Sequence, residues 1–237
     1  MPLPPGQRAV EGFPRFGTHL DGRPPRVPAH PAIEVAGAVR HPFEVPLGDL
    51  AALPRREVEA AFHCVAGWSA TGLTWEGVAF ETFFAEVVEP ALVPGGRPVT
   101  HVVFAGLDGY RSLVELVDAT APDVLLAEHL DGEPFGADHG APVRLVSPGQ
   151  YGFMSTKHLC RIELHTDEPS VRYHPDPLAR FGLELLKPHR RARVWEEERH
   201  RYLPAWSVRH VYRSLIGPIK AMCARGARPR PDEPSGG

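Results

Sequence analysis

The chain has 237 residues and a formal net charge of −3, with 43% hydrophobic and 23% charged residues, 27 prolines and 23 glycines. These values predict a globular, loop-rich protein with one well-packed core. No apolar run approaches the roughly 18 residues of a membrane-spanning helix, and the three distant cysteines exclude a disulfide framework. The N-terminus shows no secretory signal, so the sequence predicts a cytoplasmic protein with reduced thiols.

Charge is distributed unevenly along the chain. Residues 1–186 carry 14 Lys and Arg against 24 Asp and Glu, whereas residues 187–230 carry 12 against 3. The basic segment therefore either packs back on the acidic body or docks on an external anionic surface.

In chain order, residues 1–31 are rich in proline and glycine and predict an extended arm. Within it, Phe13 and Phe16 flank Arg15, a group that would anchor the arm on the body or cover a ligand. Residues 32–166 alternate short apolar stretches with glycine and proline, which predicts a β-rich α+β domain. The predicted strands are 33–39, 57–64, 99–104, 111–116, 123–130, 143–147 and 158–165, and the predicted helices are 46–53 and 80–89.

The pattern changes after this domain. Residues 167–224 predict a basic helical extension. Its predicted helices are 176–186, 190–201 and 204–224. Residues 225–237 predict a disordered tail.

One thiol stands at the exit of the predicted strand 57–64. The segment from Phe62 to Ser69 is FHCVAGWS, in which Gly67 permits a sharp turn soon after Cys64. On these residues alone, Cys64 is either a buried core thiol or a thiolate ligand to a soft metal.

A second stretch runs from His139 to Lys157, with the sequence HGAPVRLVSPGQYGFMSTK. It combines a loop, a short strand and a glycine-containing turn with hydroxyls and a lysine at its edge. Arg144 and Lys157 are either surface charges or donors to a phosphate or planar heterocycle. Ser155 and Thr156 would then complete an anion site.

Together the two stretches resemble the sulfite-oxidase-type molybdopterin-binding domain. The resemblance covers roughly residues 30–166 through seven pieces in the family's order: FHCVAGWS, TWEGV, LDGY, APDVLLA, LDGEP, HGAPVRLVSPGQYGF and STK. It is closest to the stand-alone bacterial oxidoreductases, which include the catalytic subunit of the periplasmic methionine-sulfoxide reductase. The resemblance implies an α+β, β-rich sulfite-oxidase-type molybdopterin-binding fold with a helical C-terminal extension, and a molybdopterin cofactor carrying molybdenum.

The resemblance also implies roles for individual residues. Cys64 matches the cysteine whose sulfur binds molybdenum, which makes it the catalytic and metal-ligating residue. The other matched residues are expected to bind the cofactor or shape its pocket: His63, Trp68, Ser69, His139, Arg144, Ser155, Thr156 and Lys157. A nearby Lys or Arg and the cofactor centre are expected to depress the pKa of the thiol.

Some residues depart from the family pattern or fall outside it. Met154 stands where relatives usually have a basic residue, which disfavours a small anionic substrate such as sulfite. Cys160 lies on an apolar strand face and is predicted to belong to the core, and Cys223 is not expected to be a ligand.

The implied activity is oxygen-atom transfer on a small sulfur- or nitrogen-oxide-type substrate. Three cysteines cannot ligate an iron–sulfur cluster, so electrons are expected to be exchanged with a separate partner. The alternative is a cofactor-binding but weakly catalytic module that docks through its basic helical tail onto a redox partner or an anionic membrane surface. No nucleic-acid motif occurs, so nucleic acid is not an expected partner.

Overall fold

The computed structural model describes residues 2–17, 22–171 and 187–226. The strands, in chain order, are β1 (Arg8–Val10), β2 (Ala32–Gly37), β3 (Phe43–Pro46), β4 (Arg55–Glu59), β5 (Phe62–His63), β6 (Trp68–Ala70), β7 (Thr74–Ala79), β8 (His101–Gly106), β9 (Arg111–Glu115), β10 (Leu125–Leu130), β11 (Glu133–Pro134), β12 (Arg144–Val146) and β13 (Leu159–His165). The α-helices are α1 (Leu47–Leu50), α2 (Phe80–Phe83), α3 (Leu116–Ala119) and α4 (Ala205–Gly226). Helix α2 continues as a π-helical turn, Phe84–Val88, and a 3₁₀ turn, Glu89–Ala91.

The strands of the described residues form three sheets. The small sheet has the order β1-β6-β5, with β1 and β6 parallel. The middle sheet has the order β11-β10-β7-β4, with β12 also paired to β10. The outer sheet has the order β3-β2-β13-β8-β9, in which β2 and β13 are parallel and the other pairs antiparallel.

The middle sheet separates two hydrophobic cores because successive residues of a strand point to opposite faces. Val78 of β7 and Leu126 of β10 belong to the larger core, which the outer sheet and α2 complete. Trp75 of β7 and Leu125 of β10 belong to the smaller core, which the small sheet completes. Sheets with short helices and one long C-terminal helix confirm the predicted α+β class.

The predicted strand 57–64 is wrong as a continuous element. Strand β4 ends at Glu59 in the middle sheet, and β5 begins at Phe62 in the small sheet. The chain therefore changes sheets at residues 60–61. Alternation holds along β4, but His63 and Cys64 are both buried after the break.

The predicted helix 190–201 is also wrong. This segment is held by backbone hydrogen bonds to a distant loop, from the Tyr151 N–H to the Ala192 carbonyl (2.9 Å) and from the Val194 N–H to the Gly149 carbonyl (3.0 Å). Ala192 and Glu197 have φ angles of 52° and 57°, which no α-helix contains. Tertiary pairing overrides the local helical preference.

Cys160 does not belong to the core face of β13. The pairing of β13 with β8 shifts register between Leu159 and Arg161. Leu159, Ile162 and Leu164 face the core, whereas Cys160 is half-buried and its thiol lies 3.5 Å from the Ala105 carbonyl oxygen. The bulge explains the difference, because one extra residue moves a side chain to the other face.

The remaining C-terminal expectations divide in two. Helix α4 confirms the predicted helix 204–224, whereas the predicted helix 176–186 and residues 227–237 of the predicted tail lie outside the described residues. The boundaries 1–31, 32–166 and 167–224 stay predictions. None of the helices in the described ranges combines the length and apolar character needed to cross a membrane.

We expect Gly77→Ala to destabilise the protein by about 1–3 kcal/mol, because overpacking in a core forces the backbone to shift. A Cβ at Gly77 would lie 2.1 Å from the Leu126 carbonyl oxygen and 2.6 Å from the Ala127 Cα. Gly48→Ala is the control, since no atom lies within 4 Å of its added Cβ and alanine favours a helix. Urea unfolding of both variants measures the difference, and equal stabilities would contradict the close sheet contact.

Candidate functional site

Cys64 opens the tight turn between β5 and β6. Its backbone N–H donates to the Trp68 carbonyl (2.9 Å), and the Gly67 N–H donates to the Cys64 carbonyl (2.9 Å). Gly67 has a φ of 96°, a left-handed conformation that glycine adopts without a Cβ penalty. The sequence prediction of a thiol at a strand exit beside a glycine turn is confirmed.

The surroundings of the thiol differ from the expectation. Cys64 is 8% exposed and lies in the smaller core. Burial raises the pKa of the thiol to about 12, and the charge of Arg199 offsets only part of this effect. The expected depression of the thiol pKa involves the bound cofactor centre and stays a prediction.

His63 and Ser69 lie together behind the thiol. The Nδ1 atom of His63 is 2.8 Å from the Ser69 hydroxyl, which donates to the Gln7 side-chain oxygen (3.1 Å). The Gln7 amide in turn donates to the Cys64 carbonyl (3.1 Å). Burial lowers the pKa of His63. This chain of hydrogen bonds fixes the backbone of the turn through the N-terminal arm.

Trp68 covers the same turn from β6. It is 3% exposed and contacts the rings of Phe16 and Phe62 at centroid distances of 5.5 and 6.0 Å. Its indole N–H is buried and has no hydrogen-bond partner among the described residues. Such an orphaned donor is uncommon in folded proteins and is available to a bound acceptor.

Arg144 is fully buried and makes no ion pair with a carboxylate of the described residues. Its guanidinium donates to the carbonyl oxygens of His139 (2.9 Å), Ser155 (3.2 Å) and Leu145 (3.4 Å). Burial lowers its pKa to about 9. Four aromatic rings lie within 6.0 Å of its Cζ atom: Phe13, Phe62, Trp75 and Phe135. Cation–π attraction and carbonyl dipoles compensate this charge in place of an anion.

Lys157 and His139 interact electrostatically with Arg144. The Lys157 ammonium donates to the Asp138 carbonyl (2.7 Å), and its pKa is lowered to about 7, first by burial and then by the charges of Arg144 and Arg15. The pKa of His139 is lowered to about 4, again mainly by burial, with Lys157 adding to the effect. The Nδ1 atom of His139 is buried without a partner among the described residues.

Two carboxylates, those of Asp138 and Asp108, act on Lys157, and Asp138 is already engaged. The Nε atom of Arg15 lies 2.7 Å from the Asp138 carboxylate. Arg15, Arg144 and Lys157 thus place three cations beside two acids. Buried charges that lack a counter-charge are costly, so the cluster favours an added anion.

Ser155 and Thr156 lie beside this cluster but use their hydroxyls internally. Ser155 Oγ accepts from the Ser147 N–H (3.1 Å), and Thr156 Oγ1 is 2.7 Å from Ser112 Oγ. Their predicted role in closing on a cofactor stays a prediction. Met154 is 3% exposed and packs in the larger core, so it shapes packing there rather than the charge of this site.

The stretch that carries the thiol turn and the loop of the cation cluster are joined through neighbouring residues. The Gly152 N–H donates to the His63 carbonyl (2.7 Å), and the Phe62 ring centre lies 5.4 Å from the Arg144 Cζ atom. A Cβ at Gly152 would lie 2.2 Å from the Phe62 ring, so a residue without a side chain is needed there. The structure therefore joins the two stretches that the sequence singled out.

Two elements of the site had little or no sequence signal. The aromatic-flanked Arg15 of the arm docks on the body, where Phe13 stacks on His139 with a centroid distance of 4.8 Å. Helix α4 had none, because its contacts are distant in sequence. Its Tyr212 packs against the smaller core that contains Cys64, and the Tyr212 hydroxyl lies 2.6 Å from His200 Nε2.

The donor set fits a molybdopterin. The described residues contain no group of three His, Cys, Asp or Glu side chains suited to a metal ion, so Cys64 alone would not hold one. A metal that arrives with pterin sulfurs needs one further soft ligand, which a thiolate supplies. The anionic phosphate of the cofactor suits Arg144 and Lys157, because these cations donate to backbone carbonyls and not to carboxylates of the described residues.

Comparisons with known proteins agree with this chemistry. The model of the oxidoreductase molybdopterin binding domain matches residues 22–173. Oxidoreductase YuiH of Bacillus subtilis is 30% identical over 202 residues, which cover 83% of this chain and 91% of YuiH. The protein-methionine-sulfoxide reductase catalytic subunit MsrP of Gluconobacter oxydans is 30% identical over 60% of this chain and 49% of its own. The chain thus spans nearly all of YuiH but about half of MsrP.

Two further proteins are similar. Sulfite oxidase of Arabidopsis thaliana is 28% identical over 58% of this chain and 42% of its own. Among solved structures, the sulfane dehydrogenase SoxCD of Paracoccus pantotrophus has a TM-score of 0.52 and 22% identity, covering 60% of this chain and 40% of that chain. At this identity the likeness establishes the fold alone.

The buried lysine predicts a pH dependence of stability for the cofactor-free protein. In the folded state Lys157 loses its proton near pH 7, whereas the unfolded chain keeps it until about pH 10.5. The unfolded state binds more protons in this window, so the free energy of unfolding should rise from pH 7 to 9, at most by about 1.4 kcal/mol per pH unit.

Urea unfolding of the cofactor-free protein at several pH values tests this expectation. Lys157→Met should lose that part of the slope, whereas Lys220→Met, at an exposed helix position, should keep it. The same slope in Lys157→Met and in the unaltered protein would show that Lys157 does not titrate in this window.

Proposed function

The chain belongs to the oxidoreductase molybdopterin binding domain family, and on that premise we propose that it transfers an oxygen atom to or from a small sulfur- or nitrogen-oxide-type substrate. It is a molybdopterin-dependent oxidoreductase, with molybdopterin and molybdenum as its cofactor. Electrons are exchanged with a separate partner. The observation that carries the proposal is that the thiol and the cation cluster border the same small core, where the Phe62 ring contacts Arg144.

The roles of the residues follow from their chemistry. When bound, the cofactor supplies the oxygen-atom exchange and the accompanying two-electron redox change. Cys64 holds the metal through its sulfur, and it must lose its proton on binding because thiolate is the ligand form. Arg144, Lys157 and His139 bind the anionic end, where a negative charge restores the charge balance of the buried cluster.

The supporting residues keep this arrangement rigid. His63, Ser69 and Gln7 hold the thiol turn by hydrogen bonds, and Gly152 ties it to the loop of the cation cluster. Trp68 limits the access of water to the metal ligand, since its indole covers the turn. In the reductive direction the substrate accepts two electrons and two protons, loses its oxygen atom and releases water.

A cytoplasmic location is part of the same proposal. All three cysteines are free in the structure, which suits a reducing compartment. Separation of cytoplasmic and periplasmic fractions, with a marker enzyme for each, tests it; recovery in the periplasmic fraction would contradict it.

Cys64→Ser is expected to lose most of the bound molybdenum while keeping the fold, because a serine hydroxyl is a hard ligand that remains protonated. Cys160→Ser is the matched control, since this half-buried thiol lies at the register shift of β13 in the outer sheet, whereas Cys64 follows β5 of the small sheet. Elemental analysis of protein from a host that makes molybdopterin gives the metal content, and circular dichroism checks the fold. Equal molybdenum in both variants would remove Cys64 from the metal site.

Turnover is tested on the molybdenum-loaded protein with a reduced viologen dye as the electron donor. Sulfoxides and N-oxides are expected to reoxidise the dye, and Cys64→Ser should lower the rate at least a hundredfold. Molybdenum at full content without turnover on any of these substrates, and without oxidation of small sulfur compounds, would favour the alternative of a docking module that binds the cofactor.

A further inference from the structure

Helix α4 presents an unusual outer face to solvent. Helical spacing aligns Trp206, His210, Arg213 and Lys220 on one stripe. Trp206 is 71% exposed. Val211 (59% exposed) and Leu215 (42% exposed) lie on the far side of the helix from this stripe. We call the stripe, together with Arg225 in the last turn, the outer face of α4.

The charges of the C-terminal segment fall into two groups. Residues 199–226 contain no Asp or Glu. The inner arginines have acidic partners: Arg199 and Arg209 pair with Glu197 of the same segment, and Arg201 pairs with Glu168. These three arginines are therefore paired within the protein and are not available to an external anionic surface.

The outer cations have no such partner. Arg213, Lys220 and Arg225 make no ion pair with any residue that the structure describes. The outer face of α4 is therefore positive as well as partly apolar. Its charge is complementary to an acidic surface.

The inner side of the same helix covers the thiol. Tyr212 and Ile216 pack against the smaller core that contains Cys64. An α-helix with its side chains is about 10 Å wide, so a molecule docked on the outer face lies about one helix diameter from the metal ligand. This position suits a partner that exchanges electrons with the site.

We propose that the outer face of α4 docks an electron-transfer protein with an acidic surface, an inference that rests on the proposed oxidoreductase function. Exposed aromatic residues near positive charges are typical anchors of protein interfaces, where tryptophan, tyrosine and arginine contribute most of the affinity. Trp206 is the anchor on α4. Tyr202, which is 74% exposed just before the helix, adds to the same surface.

Two other occupants fit less well. A helix that lies on a membrane gathers its exposed apolar residues on one face, whereas here Trp206 shares a stripe with Arg213 and Lys220, and the exposed Val211 and Leu215 lie on the far side of the helix. A second copy of the chain in a two-fold dimer would set the same positive face against itself, which like-charge repulsion opposes.

A binding experiment with the full-length protein tests the proposal. The probe is a plant-type [2Fe–2S] ferredoxin, a small acidic one-electron carrier, titrated at low and high salt. We expect saturable binding that weakens with salt, and at least a tenfold lower affinity for R213E/K220E and for W206A. The matched control is R40E/R97E, which reverses two exposed arginines next to residues of the larger core, whereas α4 packs on the smaller core, and it should change the affinity less than twofold.

The outcomes separate the alternatives. No ferredoxin binding by the unaltered protein, or equal weakening by both charge-reversal pairs, would overturn the proposal. Binding to phosphatidylcholine–phosphatidylserine vesicles in its place, or a dimer that R213E/K220E alters, would also overturn it. Molybdenum content and dye-linked turnover, measured on the same samples, report separately on the proposed function, because docking is also measurable on cofactor-free protein.

Discussion

Two buried cations whose partners are mostly dipoles are the constraint on which this site depends. Arg144 and Lys157 donate to backbone carbonyls, and of the two acids that act on Lys157, Asp138 is engaged by Arg15. Removing cations from water without an anion costs free energy, so such a cluster favours an added anion. In the proposed function the phosphate of the molybdopterin supplies that anion, and Cys64, on the core that Phe62 shares with Arg144, supplies the metal ligand.

The layered fold explains why the thiol and the cations lie at the same core. The middle sheet carries Arg144 on β12 at one edge of the smaller core, and the small sheet places Cys64 on the same core. Phe62 packs between them, and Gly152 allows this contact because it has no side chain. Arg144, which is remote from Cys64 in sequence, thus lies at the same core through its contact with Phe62.

The C-terminal segment has two different tasks in this arrangement. Its Arg209 pairs with Glu197, and Arg199 donates to the Val65 carbonyl, which attaches the segment to the thiol turn. Its inner apolar side closes the core over the thiol, and its outer side keeps positive charge that is unpaired among the described residues, beside exposed aromatic residues. A single helix therefore shields the metal ligand and offers a surface close to it.

The sequence by itself determined the fold class, the order of the family's motifs, the thiol at a glycine turn and the grouping of His139, Arg144 and Lys157. These features are local, because alternation, turn residues and motif spacing are fixed within a few neighbours. Only the tertiary structure decided that residues 190–201 are not helical, that a bulge turns Cys160 from the core, and that burial raises the pKa of Cys64. Each depends on contacts between distant segments, which sequence periodicity does not record.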